Sequence, residues 1–293
     1  MRITMTGATG FIGSRIRAAL AAGGHELRLI SRRPKDGFFQ WPSHDAPPPA
    51  ESLAGADAVI HLAGEPVAQR WTPEVKRRIR ESRVTGTTRL VEALEKLSPR
   101  PSVLICASAT GYYGDRGEEV LDETSPPGEG FLAETCVEWE KAAAAAEALG
   151  VRVVRLRFGM VLGREGGALP KMLPLFRFCL GGRLGSGMQW MPWIHVEDAA
   201  ALALWALSEP SAAGPFNAVA PYPARNAEFT RALEGLLGRP AMFTVPPWAL
   251  RLAMGEAADI ALFSQRVAPR AALNAGFRFR YPALADALRA LLS

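Results

Sequence analysis

The sequence predicts a doubly wound α/β fold, a parallel sheet with helices on both faces, and a smaller lobe toward the C-terminus. Three observations carry this. A glycine-rich turn, Gly7-Ala8-Thr9-Gly10-Phe11-Ile12-Gly13, stands where a strand hands over to a helix. Apolar strand-like runs then alternate with helical patterns as far as Val219. Beyond that point the alternation stops and helical patterns follow one another. Residues 1–163 with 195–219 are therefore expected to form the larger domain, and 164–194 with 220–293 the smaller, substrate-binding lobe.

The first unit starts at once. Arg2-Ile3-Thr4-Met5-Thr6 is a short β-branched run that reads as a buried strand, and Ile12, Ile16, Ala19 and Leu20 recur at helical spacing up to Gly23-Gly24. A helix start of this kind presents unsatisfied N–H groups and the positive end of the helix dipole, which suit a phosphate. Gly7 permits the tight turn, Gly10 lets backbone touch a pyrophosphate, and Gly13 lets the helix lie close on the strand. This is the Rossmann-type arrangement, and it implies a bound dinucleotide.

Glu26–Ser31 reads as the second strand, whose end faces the adenine ribose in such folds. A carboxylate about 20 residues beyond the glycines would accept the ribose hydroxyls of NAD. This chain has Ser31 there, followed by Arg32-Arg33. Guanidinium groups form charge-assisted bonds to a 2′-phosphate, so the sequence favours NADP.

Residues 34–50, rich in proline, read as an irregular connection. Ala58–Ala63 is the next strand, apolar except for His61, which reads as a hydrogen-bonded structural histidine. Gly64 after it would let backbone approach the dinucleotide. Thr72-Pro73 opens a helix running to Leu97, with a cap residue and then proline at the first helical position. Gly86 inside it costs about 1 kcal/mol and so signals a closely packed neighbour or ligand. Pro101–Ala107 is a strand ending in Ser108-Ala109-Thr110-Gly111-Tyr112-Tyr113-Gly114, a hydroxyl-rich turn suited to a site at the C-terminal ends of a parallel sheet. A helix over 131–149, a strand over 151–157, a helix to about Leu207 and a last strand over 214–219 complete the alternation. Helical patterns at 226–237, 247–262 and 283–292 belong to the smaller lobe.

The chain as a whole narrows the function classes. Its 293 residues with 48% hydrophobic content support a substantial core, and the net charge of +5 is spread over scattered arginines. That pattern suits an anionic ligand and a solvated surface, not a nucleic-acid stripe. Cys106, Cys136 and Cys179 are widely spaced, which suggests a reducing compartment and no metal site. No leader-like or membrane-spanning run is visible, so a soluble cytoplasmic protein with no membrane partner is expected.

Several motifs together resemble the extended short-chain dehydrogenase/reductases. They are Gly7-x-x-Gly10-x-x-Gly13, His61-Leu62-Ala63-Gly64, Arg83-Val-x-Gly86-Thr87, Tyr113-Gly114 and His195-Val196-x-Asp198. Gly64-Glu65-Pro66, Arg70-Trp71, Trp139-Glu140, Arg157-x-Gly159, Pro192-Trp193-Ile194-His195 and Gly276-Phe277-x-Phe279-x-Tyr281-Pro282 are similar to an atypical, sugar-nucleotide-epimerase-like subgroup. The resemblance implies that Gly7, Thr9, Gly10, Phe11, Ile12 and Gly13 contact the dinucleotide. It adds Ser31 and Arg32 at the ribose, Leu62 and Ala63 on the third strand, Arg83 on the long helix, and Arg157 and Gly159 near the nicotinamide. A small or nucleotide-linked substrate would lie between the lobes.

The family's proton-transferring Tyr-x-x-x-Lys pair is absent. Four residues before the five lysines stand Ser31, Thr72, Glu92, Val137 and Gly167. Laid on Trp139-Glu140, the tyrosine position falls on Phe131 or Leu132 and the lysine position on Thr135 or Cys136. The family's hydroxyl residue falls at Ala109, flanked by Ser108 and Thr110. The candidate catalytic residues are therefore Ser108 and Tyr112. Tyr112 or Tyr113 would be assisted by Arg116 or Arg157, with a desolvated Glu134 or Glu65 as the alternative base. Packing roles compete for both tyrosines. His195 and Asp198 either touch substrate or fix a turn, and Trp71, Trp190 and Trp193 either line a pocket or fill the smaller lobe. Two functions follow: an NADP-dependent oxidoreductase or epimerase, or an NADP-binding sensor or scaffold without turnover.

Overall fold

β1 (Arg2–Thr6) lies inside a seven-stranded sheet, flanked by β2 (Glu26–Ser31) on one side and β4 (Ala58–His61) on the other, in a computed structural model that describes all 293 residues. β3 (Phe38–Gln40) closes the β2 edge. Beyond β4 come β5 (Val103–Ala109), β6 (Arg152–Phe158) and β7 (Gly214–Ala218). Every pairing is parallel, and the order runs 7-6-5-4-1-2-3. The chain reverses direction across the sheet between β1 and β4, the place where such sheets open a crevice at their C-terminal ends.

Strand periodicity divides the core. Ile60, Ile105 and Val154 face one side, with Ile16 and Leu20 of α1 (Phe11–Ala22). Val59, Leu104 and Val153 face the other, with Leu90 and Leu94 of α2 (Pro73–Glu95) and Trp139 of α3 (Phe131–Ala144). α4 (Val196–Ser208) joins α1 on the first face through Ala199, Leu202 and Ala203. The start of α2 follows its sequence: Thr72 Oγ1 accepts the Val75 amide at 3.2 Å, with proline at the first turn.

Two expectations need correction. The connection over 34–50 contains an edge strand: Phe38 and Phe39 pair with Leu29 and Ile30, and Trp41 is buried beneath them. Two consecutive aromatics outweigh the surrounding prolines there. The helical pattern over 247–262 is broken, because Pro247–Met254 ends at Gly255, whose φ is +63°, and Asp259–Leu262 starts afresh. The neighbour of Gly86 is His44, whose Nδ1 would stand 2.9 Å from an added Cβ.

The smaller lobe has its own core of Leu169, Leu173, Phe176, Trp193, Phe229, Leu233 and Leu288. The C-terminal segment also reaches back to the larger domain. Ala272 and Phe277 enter the core under α1 and α4, and Asp198 accepts the amides of Arg280 and Tyr281 at 2.8 and 2.9 Å. The His195 ring stacks on Tyr281 at 3.9 Å, and its Nδ1 accepts the Glu197 amide. His195 and Asp198 thus fix a turn and anchor the tail.

Candidate functional site

The glycine turn sits at the crevice. Gly7 has φ of +69°, and a Cβ on it would lie 2.7 Å from the Leu62 carbonyl carbon, so the ends of β1 and β4 nearly touch. A Cβ on Gly13 would stand 2.1 Å from the Gly7 oxygen, which shows how closely α1 lies on the turn. Gly10 caps α1 and no side chain bonds the first-turn amides. Phe11 turns away, its ring filling space over Gly163 and Gly166. The end of α1 is left as bare N–H groups and dipole, with Thr9 and Ile12 beside it.

Thr6 Oγ1 joins the two strand ends, meeting His61 Nδ1 at 2.7 Å and accepting the Ala63 amide at 3.2 Å. His61 is fully buried, and desolvation pushes its pKa from 6.5 to about 3. The native state thus rejects a proton that the unfolded chain accepts. Stability should be full above pH 6.5 and fall on acidification toward pH 3. This histidine alone should contribute a loss of about 1.4 kcal/mol per pH unit. Urea unfolding across this range checks it, and His61→Asn should flatten the acid limb.

At the ribose end, Ser31 closes β2, and Arg32 and Arg33 project beyond it, both exposed. Arg32 pairs with Glu65 at 3.1 Å. Glu65 also lies 3.9 Å from Arg78, so it stands among cations, while Glu134 is exposed on α3. Arg83 donates to the carbonyl oxygens of Glu65 and Ile79 at 2.9 and 3.2 Å, rests against Gly64, and lies 5.1 Å over the Trp139 ring. It forms no ion pair, and burial lowers its pKa. A guanidinium without a counterion beside the β4 terminus has the chemistry to receive an anionic or oxygen-rich ligand.

The β5 terminus holds a buried polar network. Arg157 on β6 forms a bidentate pair with Glu140 on α3, at 2.7 and 2.8 Å, and both side chains are under 8% exposed, at 3% and 7%. Ser108 donates to the same carboxylate at 2.6 Å. The other side of the guanidinium donates to the Tyr113 hydroxyl at 2.9 Å, which in turn donates to Asn217 Oδ1 at 2.7 Å. Burial pushes the Tyr113 phenol up to about 12, so it keeps its proton. Tyr112 lies half-buried with Arg157 Cζ 3.6 Å from its ring centre. Arg116 is engaged with Glu119, and Leu132 packs on Gly111. Ser108, Tyr112 and Arg157 are therefore brought together, with Gly159 packed against the Pro192 carbonyl just beyond them.

Glu140 and Asn217 had escaped the reading of the sequence as partners of this network. A signal was present: Glu140 falls on the same helix stripe as Ala133, Cys136 and Ala143, and Arg157 falls in a buried strand. Two opposite charges in apolar positions require each other. Of the tryptophans, Trp193 fills the smaller core, Trp71 packs edge-on against Phe131, and Trp190 lies between Arg225 and Arg266 at 4.4 and 4.8 Å. No helix is long and apolar enough to cross a membrane.

Comparison with known proteins places these features in a family. The model of the NAD dependent epimerase/dehydratase family matches residues 3–219, and a domain of unknown function, DUF1731, matches 245–291. The chain is 43% identical to the epimerase family protein SDR39U1 homolog, chloroplastic, of Arabidopsis thaliana, over all of this chain and 87% of that one. It is 38% identical to the epimerase family protein YfhF of Bacillus subtilis, over all of this chain and 98% of the other. The crystal structure of human epimerase family protein SDR39U1 with NADPH superposes with a TM-score of 0.91 at 35% identity, covering 100% of this chain and 99% of that one. The Thermotoga maritima UDP-glucose 4-epimerase with UDP-glucose shares the fold, with a TM-score of 0.80 at 19% identity over 100% of this chain and 97% of that one. The glycine turn at the crevice, the parallel order of the sheet and the full-length relatives agree: the chain belongs to the NAD dependent epimerase/dehydratase family, among the extended short-chain dehydrogenase/reductases.

Proposed function

We propose that the protein is an NADPH-dependent oxidoreductase or epimerase with an atypical active site, acting on a small or nucleotide-linked substrate held between the two lobes. One observation carries this reading: the uncapped N-terminus of α1, seated on Gly7 and Gly13 at the sheet reversal, with Arg32 and Arg33 at the neighbouring strand end. A relative of 35% identity crystallised with NADPH supports it.

In this reading the amides following Gly10 hold the diphosphate, with Thr9, Ile12 and the backbone of Phe11, whose ring turns away, flanking it. Ser31, Arg32 and Arg33 receive the adenine ribose and its 2′-phosphate, and Leu62, Ala63 and Gly64 pass beneath. Arg83 donates to the oxygens of the nicotinamide half. The bound nucleotide supplies a hydride acceptor or donor at its ring. Tyr112 carries the proton, its ring held on Arg157. Ser108, whose hydroxyl is directed at Glu140, positions that pair through the shared carboxylate.

A second reading, NADP binding without turnover, is favoured by the same region. Phe131 or Leu132, and Thr135 or Cys136, stand where the family's proton transfer would need a phenol and an amine, and the Ser108 hydroxyl is already committed. Fluorescence titration and steady-state turnover separate the two. The double substitution Arg32→Ala with Arg33→Ala should weaken NADPH by about tenfold to a hundredfold and leave NADH unchanged. Equal losses for both nucleotides would remove the 2′-phosphate assignment. Tyr112→Phe should lower turnover at least a hundredfold while NADPH affinity holds. Tight NADPH binding with no absorbance change across carbonyl compounds and nucleotide sugars would select the sensor reading.

A further inference from the structure

The smaller lobe leaves a run of large apolar side chains in solvent on three adjoining segments. The helix Leu169–Arg177 ends in a turn whose tip carries Phe178 and Leu180, with Cys179 between them at φ of +59°. The Leu180 amide returns to the Leu175 carbonyl at 2.7 Å, so the tip is held in place. Just beyond it the strand Gly182–Leu184 pairs in parallel with Phe243–Val245, with no room for a Cβ between Gly182 and the Phe243 oxygen. Met242 and Phe243 thus stand close to the tip. The second strand leads into the helix Pro247–Met254, and a Cβ on Gly185 would touch Pro247 at 3.6 Å, so that helix starts beside the end of the first strand. The helix buries no residue, and Trp248 and Leu252, four apart, share one side of it. Met242 is 83% exposed, Phe178 76%, Leu252 71% and Trp248 69%. Scattered exposed apolar residues are ordinary, but a concentration of them marks an interaction surface.

The charge of the same segments is one-sided. Residues 166–191 and 235–255 contain Lys171, Arg177, Arg183, Arg239 and Arg251 and no aspartate or glutamate. The first four are exposed and form no ion pair. Arg251 pairs with Asp259 at 3.2 Å, and Glu234 is turned to the Ala241 amide, which it accepts at 3.4 Å. A second copy of the chain on this face would bring the same unpaired cations together, which like-charge repulsion opposes. The most exposed side chains are knobs and not the walls of a groove, so they do not form a mould for a protein segment. Protruding aromatic and aliphatic groups among free lysine and arginine suit an anionic bilayer. There the apolar tips enter the boundary between headgroups and acyl chains, and the cations remain at the lipid phosphates.

We propose that this face of the smaller lobe docks peripherally on an anionic lipid bilayer, with Phe178, Met242, Trp248 and Leu252 entering the interface. Such a mode needs no membrane-spanning helix. The sequence reading of no membrane partner rested on the lack of a spanning run, and a face assembled from two distant stretches escapes that criterion. The proposal is independent of the proposed function, since it requires neither bound nucleotide nor turnover.

Co-sedimentation of the full chain with lipid vesicles tests it. Vesicles of phosphatidylcholine mixed with phosphatidylglycerol should bind the protein at least about tenfold more tightly than vesicles of phosphatidylcholine alone, and raised salt should weaken that binding. Trp248→Ser with Leu252→Ser should weaken binding to the mixed vesicles about tenfold or more. Arg177→Glu with Arg183→Glu should do the same through charge. All four residues are exposed, so the thermal midpoint and the NADPH Kd should remain at parental values in both variants. The proposal is overturned if neither kind of vesicle binds, if both bind equally, or if both double variants bind the mixed vesicles like the parent. Analytical ultracentrifugation without lipid covers the competing occupant. A dimer that Trp248→Ser with Leu252→Ser dissociates would assign the face to a second copy and also overturn the proposal.

Discussion

Arg157→Leu should destabilise the protein by about 3–5 kcal/mol, the usual cost of stranding one member of a buried ion pair. The substitution leaves the Glu140 carboxylate inside the protein with Ser108 as its remaining donor. It also removes the donor to the Tyr113 hydroxyl and the cation beneath Tyr112. Glu140→Leu should cost a similar amount for the opposite reason, an uncompensated guanidinium. The double variant Glu140→Leu with Arg157→Met should recover most of the loss, because neither charge is then stranded. Urea unfolding of the three variants checks this, and single losses below about 1 kcal/mol would show that the pair is not the clamp described. Turnover offers an independent readout. If Tyr112 carries the proton, Arg157→Leu should lower activity even well below the unfolding midpoint, since its ring loses the plane that holds it.

Gly10→Ala should weaken NADPH by at least about a hundredfold while the thermal midpoint moves only slightly. Gly10 has φ of −73° and ψ of 171°, a conformation alanine adopts freely. Its added Cβ would meet only the Gly7 oxygen, at 3.2 Å, and otherwise occupy the space before the helix end. The loss follows from lifting a diphosphate away from two or more amides, each charge-assisted bond contributing about 1.5–3 kcal/mol. Gly13→Ala should instead damage both folding and binding, because its Cβ would stand 2.1 Å from the Gly7 oxygen. Fluorescence titration beside thermal melting separates the two. If Gly10→Ala binds NADPH like the parent, the diphosphate does not rest on these amides.

Most of the larger domain was legible in the sequence because its signals are local. A glycine turn, an N-cap threonine followed by proline, and apolar strands each announce themselves within a few residues. The edge strand at Phe38–Gln40 was hidden because its pairing with β2 is a tertiary fact laid over a proline-rich composition. Gly255 interrupts a pattern that apolar spacing alone reads as one helix. The candidate site was legible unevenly. The turn and the Arg32-Arg33 pair follow directly from chain order. Glu140, Arg157, Tyr113 and Asn217 come from four separate elements, and only the fold shows that one hydrogen-bonded chain runs through them.

The tail that matches DUF1731, residues 245–291, is not a detachable module. Ala272 and Phe277 plug the core of the larger domain, and the amides of Arg280 and Tyr281 bond both oxygens of Asp198 at the root of α4. A truncation ahead of this stretch would open a void in the larger half and abandon a carboxylate there, so neither fragment should be expected to express alone as a folded unit. Chimaeras between relatives would have to exchange the tail together with its socket.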